Sequence, residues 1–480
     1  MSDHTFDVVI IGAGAVGENV ADRIVQGGLT AAIVERELIG GECSYWACMP
    51  TKALLRDAAA LRAVRHLPGA SAAVTGGLDS AAVLRRRDSF ASHWKDDGQA
   101  AWLDGAGIAL FRGEGRIGSA RSVEVVGADG ETVVLTARHA VVVATGSSAR
   151  IPDIEGLTDA APWTSREAAS ASAVPARLAI VGGGVVAVEM ATAFSALGSA
   201  VTIIARDGLL PAVEPFASEL ATTSLRADGV ELRLNTEPTR ITRSGGEVRL
   251  VLADGSALSA DEVLVATGRT PNTATLGLQN IGLTPGDWLT VDDALRVVDG
   301  SGAAIAGDWL YAAGDVNRRV LLTHQGKYQA RNLGDSIVAR ANGTALNETA
   351  WGRHAFTADD RAVPQVIFGD PEIAAVGYTV AEATRRGLTV RAVEYDLGAV
   401  AGAALHADGY EGRAVMVVDE DKKVIVGFTI AGPDVAELLH AATVAIVGEV
   451  PLDRLWHAVP SYPTVSEIWL RLLETYGRDS

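Results

Sequence analysis

One local pattern occurs twice in this chain and restricts its fold more than any other feature. An apolar run at residues 8–11 leads into Gly12-Ala13-Gly14-Ala15-Val16-Gly17, a helical stretch follows, and a second apolar run at 31–34 ends in Glu35. The same order returns at 178–181, then Gly182-Gly183-Gly184-Val185-Val186-Ala187, then 201–204. Each copy reads as a buried parallel strand, a glycine-rich turn, a helix and a second strand, the unit that holds a dinucleotide. The first glycine permits the tight turn, and the second lets the backbone approach a pyrophosphate. The third, or Ala187 in its place, lets helix and strand pack closely. The helix N-terminus then offers unpaired N–H groups to the phosphates. Two glycine-rich turns that bind nothing are the alternative; the strand-before, helix-after context of both copies weighs against it.

Further short strands at 140–143, 263–265 and 310–311 run into Ala144-Thr145-Gly146, Ala266-Thr267-Gly268 and Ala312-Ala313-Gly314-Asp315. Small residues there suit ligand contact at the carboxyl edge of a sheet. From about Trp351 the texture changes, with strands at 414–418 and 424–430 and a helix over 436–448, an α+β domain with an antiparallel sheet. The expected fold class is therefore α/β, with two Rossmann-like dinucleotide-binding domains and a C-terminal α+β domain. The 480 residues accommodate about three domains, and 48% hydrophobic with 21% charged content excludes global disorder. A net charge of −18, from 41 basic and 59 acidic residues, argues against nucleic acid or an anionic membrane as partner. No apolar run reaches the ~18 residues of a membrane span. Residues 1–7 show no leader pattern, so a cytoplasmic protein is expected.

The chain has two cysteines, Cys43 and Cys48. That count excludes a disulfide-stapled scaffold and an all-cysteine metal or iron–sulfur site within one chain. They lie in Gly40-Gly41-Glu42-Cys43-Ser44-Tyr45-Trp46-Ala47-Cys48-Met49-Pro50-Thr51-Lys52. A metal site is not expected, because two thiolates need further ligands and no histidine is near in sequence. Spacing alone leaves a pair of inert buried thiols as open as a redox pair.

The segment resembles the redox-active helix of the flavoprotein disulfide reductases, the family of glutathione reductase, lipoamide dehydrogenase and mercuric reductase. Their pattern is Gly-Gly-x-Cys, four residues, Cys, then x-Pro-Ser/Thr-Lys. The likeness takes in both dinucleotide units, the Ala-Thr-Gly strands, Ala313-Gly314-Asp315 and VIFGDPEIAAVG at 366–377, and so nearly the whole chain. It implies an FAD-binding domain in two parts, 1–150 and 276–348, an NAD(P)-binding domain at 151–275 and a dimerisation domain at 349–480. Gly12, Gly14 and Gly17 would hold the FAD pyrophosphate and Glu35 the adenosine ribose, whose diol donates two O–H groups to a carboxylate. Asp315 would bond the ribityl chain, and Gly41, Glu42, Gly115, Thr145, Gly146 and Thr323 would line the FAD. Cys48 would lie against the flavin, and Cys43 would be the outward sulfur. Lys52, one of only five lysines, would sit near the flavin and pair with Glu189, favouring a thiolate. Solvated surface charge is the alternative for Lys52 and Glu189, and a solvated strand-end acid the alternative for Glu35, where the motif context weighs against it.

On the same resemblance, Gly182, Gly184, Ala187, Gly268 and Arg269 would serve the nicotinamide dinucleotide. Ala205 stands where NAD-specific members place an acid, and Arg206 follows, a guanidinium suited to a 2′-phosphate. NADPH is the expected donor, with NADH the alternative; Asp207 and Ala212 depart from the glutathione reductase pattern. Val185 replaces the tyrosine that covers the flavin in some members. At the other end, dithiol reductases carry His-Pro-x-x-x-Glu from the partner subunit, the histidine serving as acid/base. Here Pro463 and Glu467 are in place, but Tyr462 occupies the histidine position. A free phenol, with a pKa of about 10, is a poor base at neutral pH. Mercuric reductase shares the tyrosine but ends in vicinal cysteines, absent from Leu473-Glu474-Thr475-Tyr476-Gly477-Arg478-Asp479-Ser480. Bulky Tyr45 and Trp46 are expected to shape the substrate face or shield the disulfide, with simple packing against FAD as the alternative.

The resemblance thus implies a homodimeric oxidoreductase that passes electrons from NADPH through FAD and the Cys43–Cys48 disulfide to an unidentified small-molecule acceptor. Two alternatives stand beside it. Reduced flavin could serve quinone, oxygen or a metal ion without the disulfide, or the protein could be a redox-sensing or interaction protein of low turnover, whose cysteine pair switches a partner surface through a conformational change on oxidation.

Overall fold

A computed structural model describes residues 3–477. The ends of the expected first and last segments, residues 1–2 and 478–480, lie outside the described residues. The chain divides into two compact units.

The first unit is built on a seven-stranded sheet. Asp3–Ile11 lies between Ala31–Glu35 and Thr132–Val143, parallel to both, with Val8 opposite Ala31 on one side and Ala140 on the other. Ala109–Arg112 extends one edge; Ser122–Val126 and Glu114–Ser119 extend the other, and Leu310–Ala312 adds a parallel strand to Thr132–Val143. The central strands are continuous apolar runs because both sheet faces are covered. Val8, Ile10 and Ile33 point to one core with Val20, Ile24, Leu333 and Ile337, from the helices Ala15–Gln26 and Thr323–Ala341. Their neighbours Val9, Val34 and Val141 point to a second core around Trp309 and Leu289.

The second unit repeats the theme with a four-stranded parallel sheet in the order Glu231–Leu234, Ala200–Ala205, Arg177–Val181, Glu262–Val265. The helix between its first two strands, Val185–Ala196, is buried from Ala187 to Phe194, which explains its lack of a polar face. The C-terminal part of this unit is a five-stranded antiparallel sheet, Pro364–Ile367, Glu372–Gly377, Val424–Gly432, Arg413–Asp419 and Val390–Asp396, with Leu439–Val447 as a helix. No helix among the described residues is long and apolar enough to cross a membrane.

The chain passes between the two compact units at 150/151, at 268/269 and at 359/360. Thr51–Arg87 clusters with the second unit, where the fully buried Arg87 guanidinium donates to the carbonyls of Ala169 and Ala171. Arg269–Asp359 belongs to the first unit. Arg269–Pro271 pairs with Ser147–Ala149, and the Asp359 carboxylate accepts from the Gln325 and Gln329 amides, both at 2.8 Å. Such tertiary hydrogen bonds carry no local sequence signal.

Candidate functional site

In the first unit the glycines of the first turn are required by geometry. Gly12 has φ of +103°, and a Cβ there would lie 2.5 Å from the Ala144 carbonyl oxygen. A Cβ on Gly17 would lie 1.9 Å from the Gly12 carbonyl oxygen. At Gly14 the nearest atom to an added Cβ is the Gly41 Cα at 4.0 Å, so the turn leaves its middle open for a ligand. The Ala15–Gln26 helix starts directly after Gly14, and no side chain caps it. A narrow groove of about 60 Å³ runs along these strand ends, lined by Gly12, Glu35, Gly115 and Thr145 among others. The Glu35 carboxylate is held in place by the backbone N–H groups of Ala13 (2.7 Å) and Glu37 (2.8 Å). The Thr145 hydroxyl is buried without a partner. A buried, unpaired hydroxyl, an uncapped helix start and an oriented carboxylate fit a dinucleotide such as FAD. Asp315 accepts from the Ser147 hydroxyl at 2.6 Å, and Arg269 lies 3.6 Å from it. Gly146 has φ of +68° and lies between Thr145 and this cluster. Arg269 thus sits in the first unit beside Asp315, and Ser147 is a member that sequence spacing did not single out.

Gly41 and Glu42 open a short helix, Gly41–Tyr45, that carries Cys43, and Cys48 begins the next, Cys48–Arg65. The Gly40 N–H donates to the Ala13 carbonyl at 2.7 Å, which seats this segment on the first glycine turn. Both cysteines are thiols, and Cys48 acts on Cys43. The Cys48 Sγ is 3.4 Å from the Thr323 hydroxyl, the first residue of the Thr323–Ala341 helix. A helix N-terminus favours a thiolate placed against it. The Cys48 thiol raises the pKa of Cys43 well above the usual thiol range, and burial adds to this; Thr323 and Lys327 pull it down. Tyr45 does not form a substrate face. It is buried, donates to the Ile39 carbonyl at 3.0 Å, and has the Lys95 carbonyl at 3.3 Å.

Lys52 follows Cys48 by one turn on the same helix, so the two share a face. In the second unit the Lys52 ammonium is 2.8 Å from one oxygen of the buried Glu189. The other Glu189 oxygen accepts from the Phe368 N–H at 3.0 Å, and the Phe368 ring lies 5.0 Å beneath the ammonium. Phe368 lies inside the 366–377 motif, but its contact with Glu189 spans 179 positions, which no spacing argument reveals.

The second glycine turn repeats the first. Gly182 has φ of +127°, with an added Cβ 2.3 Å from the Ala266 carbonyl oxygen, Gly184 faces open space, and Ala187 is fully buried. Arg206 lies just past the end of Ala200–Ala205, exposed, 3.6 Å from the equally exposed Asp207. Gly268 has φ of +122° after Glu262–Val265. Near the C-terminus, Tyr462 precedes a cis peptide to Pro463 and is 76% exposed. Glu467 is buried, holds Arg471 at 2.7 Å through one oxygen, and leaves the other without a partner.

Residues 6–330 match the family model described as pyridine nucleotide-disulphide oxidoreductase, and residues 363–472 match the dimerisation domain of that family. The chain is 32% identical over 476 residues to mercuric reductase of Acidithiobacillus ferrooxidans, covering 98% of this chain and 83% of that protein. It is 30% identical over 474 residues to dihydrolipoyl dehydrogenase of Chlamydia pneumoniae, covering 97% and 95%. Among solved structures, the HOCl-induced flavoprotein disulfide reductase RclA from Escherichia coli, as its Cu(II) complex, shares the fold with a TM-score of 0.83 and 24% identity, over 98% of this chain and 99% of that one. LpdA from Mycobacterium tuberculosis gives 0.81 and 25%, over 99% and 100%. The chain therefore belongs to the pyridine nucleotide-disulphide oxidoreductase family and is an FAD-dependent oxidoreductase that works with a pyridine nucleotide.

Proposed function

We propose that this protein is an NADPH-dependent oxidoreductase whose Cys43–Cys48 pair cycles between dithiol and disulfide to reduce a small-molecule acceptor. The observation that carries this is the placement of Cys48 3.4 Å from Thr323 at a helix N-terminus, with Cys43 beside it. Gly12, Gly14, Gly17, Glu35, Thr145 and Asp315 would hold the FAD, with Gly41, Glu42, Gly115, Gly146 and Thr323 along its length. The bound flavin would supply two-electron chemistry between the nicotinamide and the Cys43–Cys48 pair. Lys52 is steered by Glu189 and Phe368 and contributes the positive charge on the Cys48 face of its helix. Arg206 binds the 2′-phosphate of NADPH, and Gly182, Gly184, Ala187 and Gly268 leave room for its backbone. The dimerisation-domain match and the exposed Leu405, Val444 and Val459 support a homodimer, to which Tyr462 and Glu467 bring one protomer's C-terminal segment.

Anaerobic reductive titration tests the reading. A long-wavelength thiolate-to-flavin absorption should appear after two electrons and vanish in Cys48→Ser. Acceptor reduction that survives replacement of both cysteines would refute the disulfide relay and favour direct reduction by the flavin. NADPH should exceed NADH in kcat/KM, and the reverse order would refute the role of Arg206.

A further inference from the structure

We propose that Gln329 and Asp359 are positioning residues for the flavin, a buried amide–carboxylate pair that fixes the turn presenting Asp315; this rests on the reading of Asp315 as an FAD contact above. Asp315 follows Gly314, which adopts φ of +78° and ψ of −156°, backbone space open to glycine alone. The Gly314 N–H donates to Gln329 Oε1 at 2.8 Å, and the Asn317 amide nitrogen donates to the same oxygen at 3.0 Å. Gln329 Nε2 donates in turn to one Asp359 oxygen, and Gln325, one helical turn earlier, donates to the other, both at 2.8 Å. Gln329 is fully buried, and Gln325 and Asn317 are buried with it. The Asn317 amide nitrogen also donates to the Ala312 carbonyl at 3.1 Å, so the turn is tied at both ends. Gly326, on the same helix as Gln329, lets the turn lie close. A Cβ on Gly326 would sit 3.3 Å from the Gly314 Cα, and one on Gly314 would sit 2.9 Å from the Val16 side chain. The turn is therefore wedged between the Ala15–Gln26 and Thr323–Ala341 helices, with Gln329 as its polar anchor.

The roles of donor and acceptor make this chain of bonds directional. A carboxylate only accepts, so Asp359 turns the Gln329 amide nitrogen toward itself and leaves the amide oxygen facing Gly314. Without that carboxylate the amide could reverse and set its NH2 group against the Gly314 N–H. A buried N–H left without an acceptor is costly, and the turn would shift to relieve it. Arg319 supplies the positive charge on this side: one guanidinium nitrogen lies 3.8 Å from Asp359, and another donates to the Asp292 carbonyl at 2.7 Å. The Asp315 carboxylate itself accepts from the Ser147 hydroxyl at 2.6 Å. Ser147 thus sets the side chain of Asp315, and Gln329 sets the backbone that carries it. A pair that only fastened the segment around Asp359 to the helix would need no bond to Gly314.

FAD release from the loaded protein tests this, followed as recovery of flavin fluorescence after dilution into flavin-free buffer. Asp315→Ala should release FAD about tenfold faster, the loss of one charge-assisted hydrogen bond. Gln329→Met should release it about fivefold faster, and no faster than Asp315→Ala, because it acts through that residue. In the Asp315→Ala background, Gln329→Met should add less than about twofold. Gln329→Glu combined with Asp359→Asn exchanges the two groups: the amide at 359 donates to the carboxylate at 329, which still accepts from Gly314 and Asn317. That exchange should restore release to within about twofold of wild type, a rescue that general damage to the core does not produce. Where Gln329→Met retains no FAD, the exchange decides by itself. Wild-type release from Gln329→Met, the same acceleration in both backgrounds, or an exchange no slower than Gln329→Met overturns the proposal. If Asp315→Ala leaves release unchanged, the reading of Asp315 fails; if it is fast and Gln329→Met is silent, only the role of Gln329 and Asp359 fails.

Discussion

Replacing Lys52 by methionine should destabilise the protein more than replacing Glu189 by glutamine. The Glu189 side chain is 5% exposed, whereas that of Lys52 is 35% exposed. In Lys52→Met the carboxylate stays buried with only the Phe368 N–H at 3.0 Å to compensate it. An uncompensated buried charge costs about 3–5 kcal/mol, and one retained charge-assisted hydrogen bond offsets about 1.5–3 kcal/mol. The net expected loss is about 2 kcal/mol. In Glu189→Gln the amide oxygen still accepts from Phe368, and the half-exposed ammonium turns toward water, so the loss is about 1 kcal/mol. Urea denaturation at constant FAD excess, with each single variant and the double variant, measures both losses and their coupling. Neighbours that interact should couple by at least about 0.5 kcal/mol. Additive losses, or a larger loss for Glu189→Gln, would refute the reasoning that the buried carboxylate is the costly member of the pair.

Glu18 has its folded pKa raised by burial from 4.5 to about 7, so its contribution to stability is complete below pH 4.5 and is lost as pH rises through 7. Glu18→Gln should therefore gain on wild type by up to about 3 kcal/mol between those pH values, read from urea midpoints at each pH, and a constant difference would contradict it. Tyr45→Phe removes the bond to the Ile39 carbonyl and should lower stability by about 1 kcal/mol in thermal unfolding, with no change if that bond is not formed. Gly12→Ala forces a Cβ to 2.5 Å from the Ala144 carbonyl and should abolish retention of FAD on gel filtration, whereas a fully loaded variant would remove the steric argument. Arg206→Ala should raise the KM for NADPH roughly tenfold and leave that for NADH unchanged, a loss confined to one charge-assisted phosphate contact.

Much of the architecture was legible because it is written in local patterns. Each dinucleotide unit combines an apolar run, a glycine that must adopt positive φ and a helix start, all within some 30 residues. The segment from Gly40 to Lys52 is equally local, and the relation of Cys48 to Lys52 follows from helical spacing alone. What was not legible depends on distance along the chain. The grouping of Thr51–Arg87 with the second unit depends on carbonyls that accept from Arg87, which periodicity does not mark. Phe368 reaches Glu189 across 179 positions, and the direction taken by Tyr45 depended on an Ile39–Lys95 backbone arrangement formed by distant packing.

The anchoring of Tyr45 also bears on signalling. Cys43 and Cys48 flank a turn that is pinned from beneath by a buried phenol, and Asp96 holds the same patch by accepting from the Ile39 N–H at 2.8 Å and pairing with Arg112. A molecule that reports oxidation to a partner must turn sulfur chemistry into backbone displacement, and that requires a slack segment between its thiols. Here the segment is moored by Tyr45 and Asp96. On the proposed disulfide reading, that mooring favours side-chain rotation over backbone displacement when the sulfur–sulfur bond forms, an arrangement suited to repeated turnover rather than to a switch.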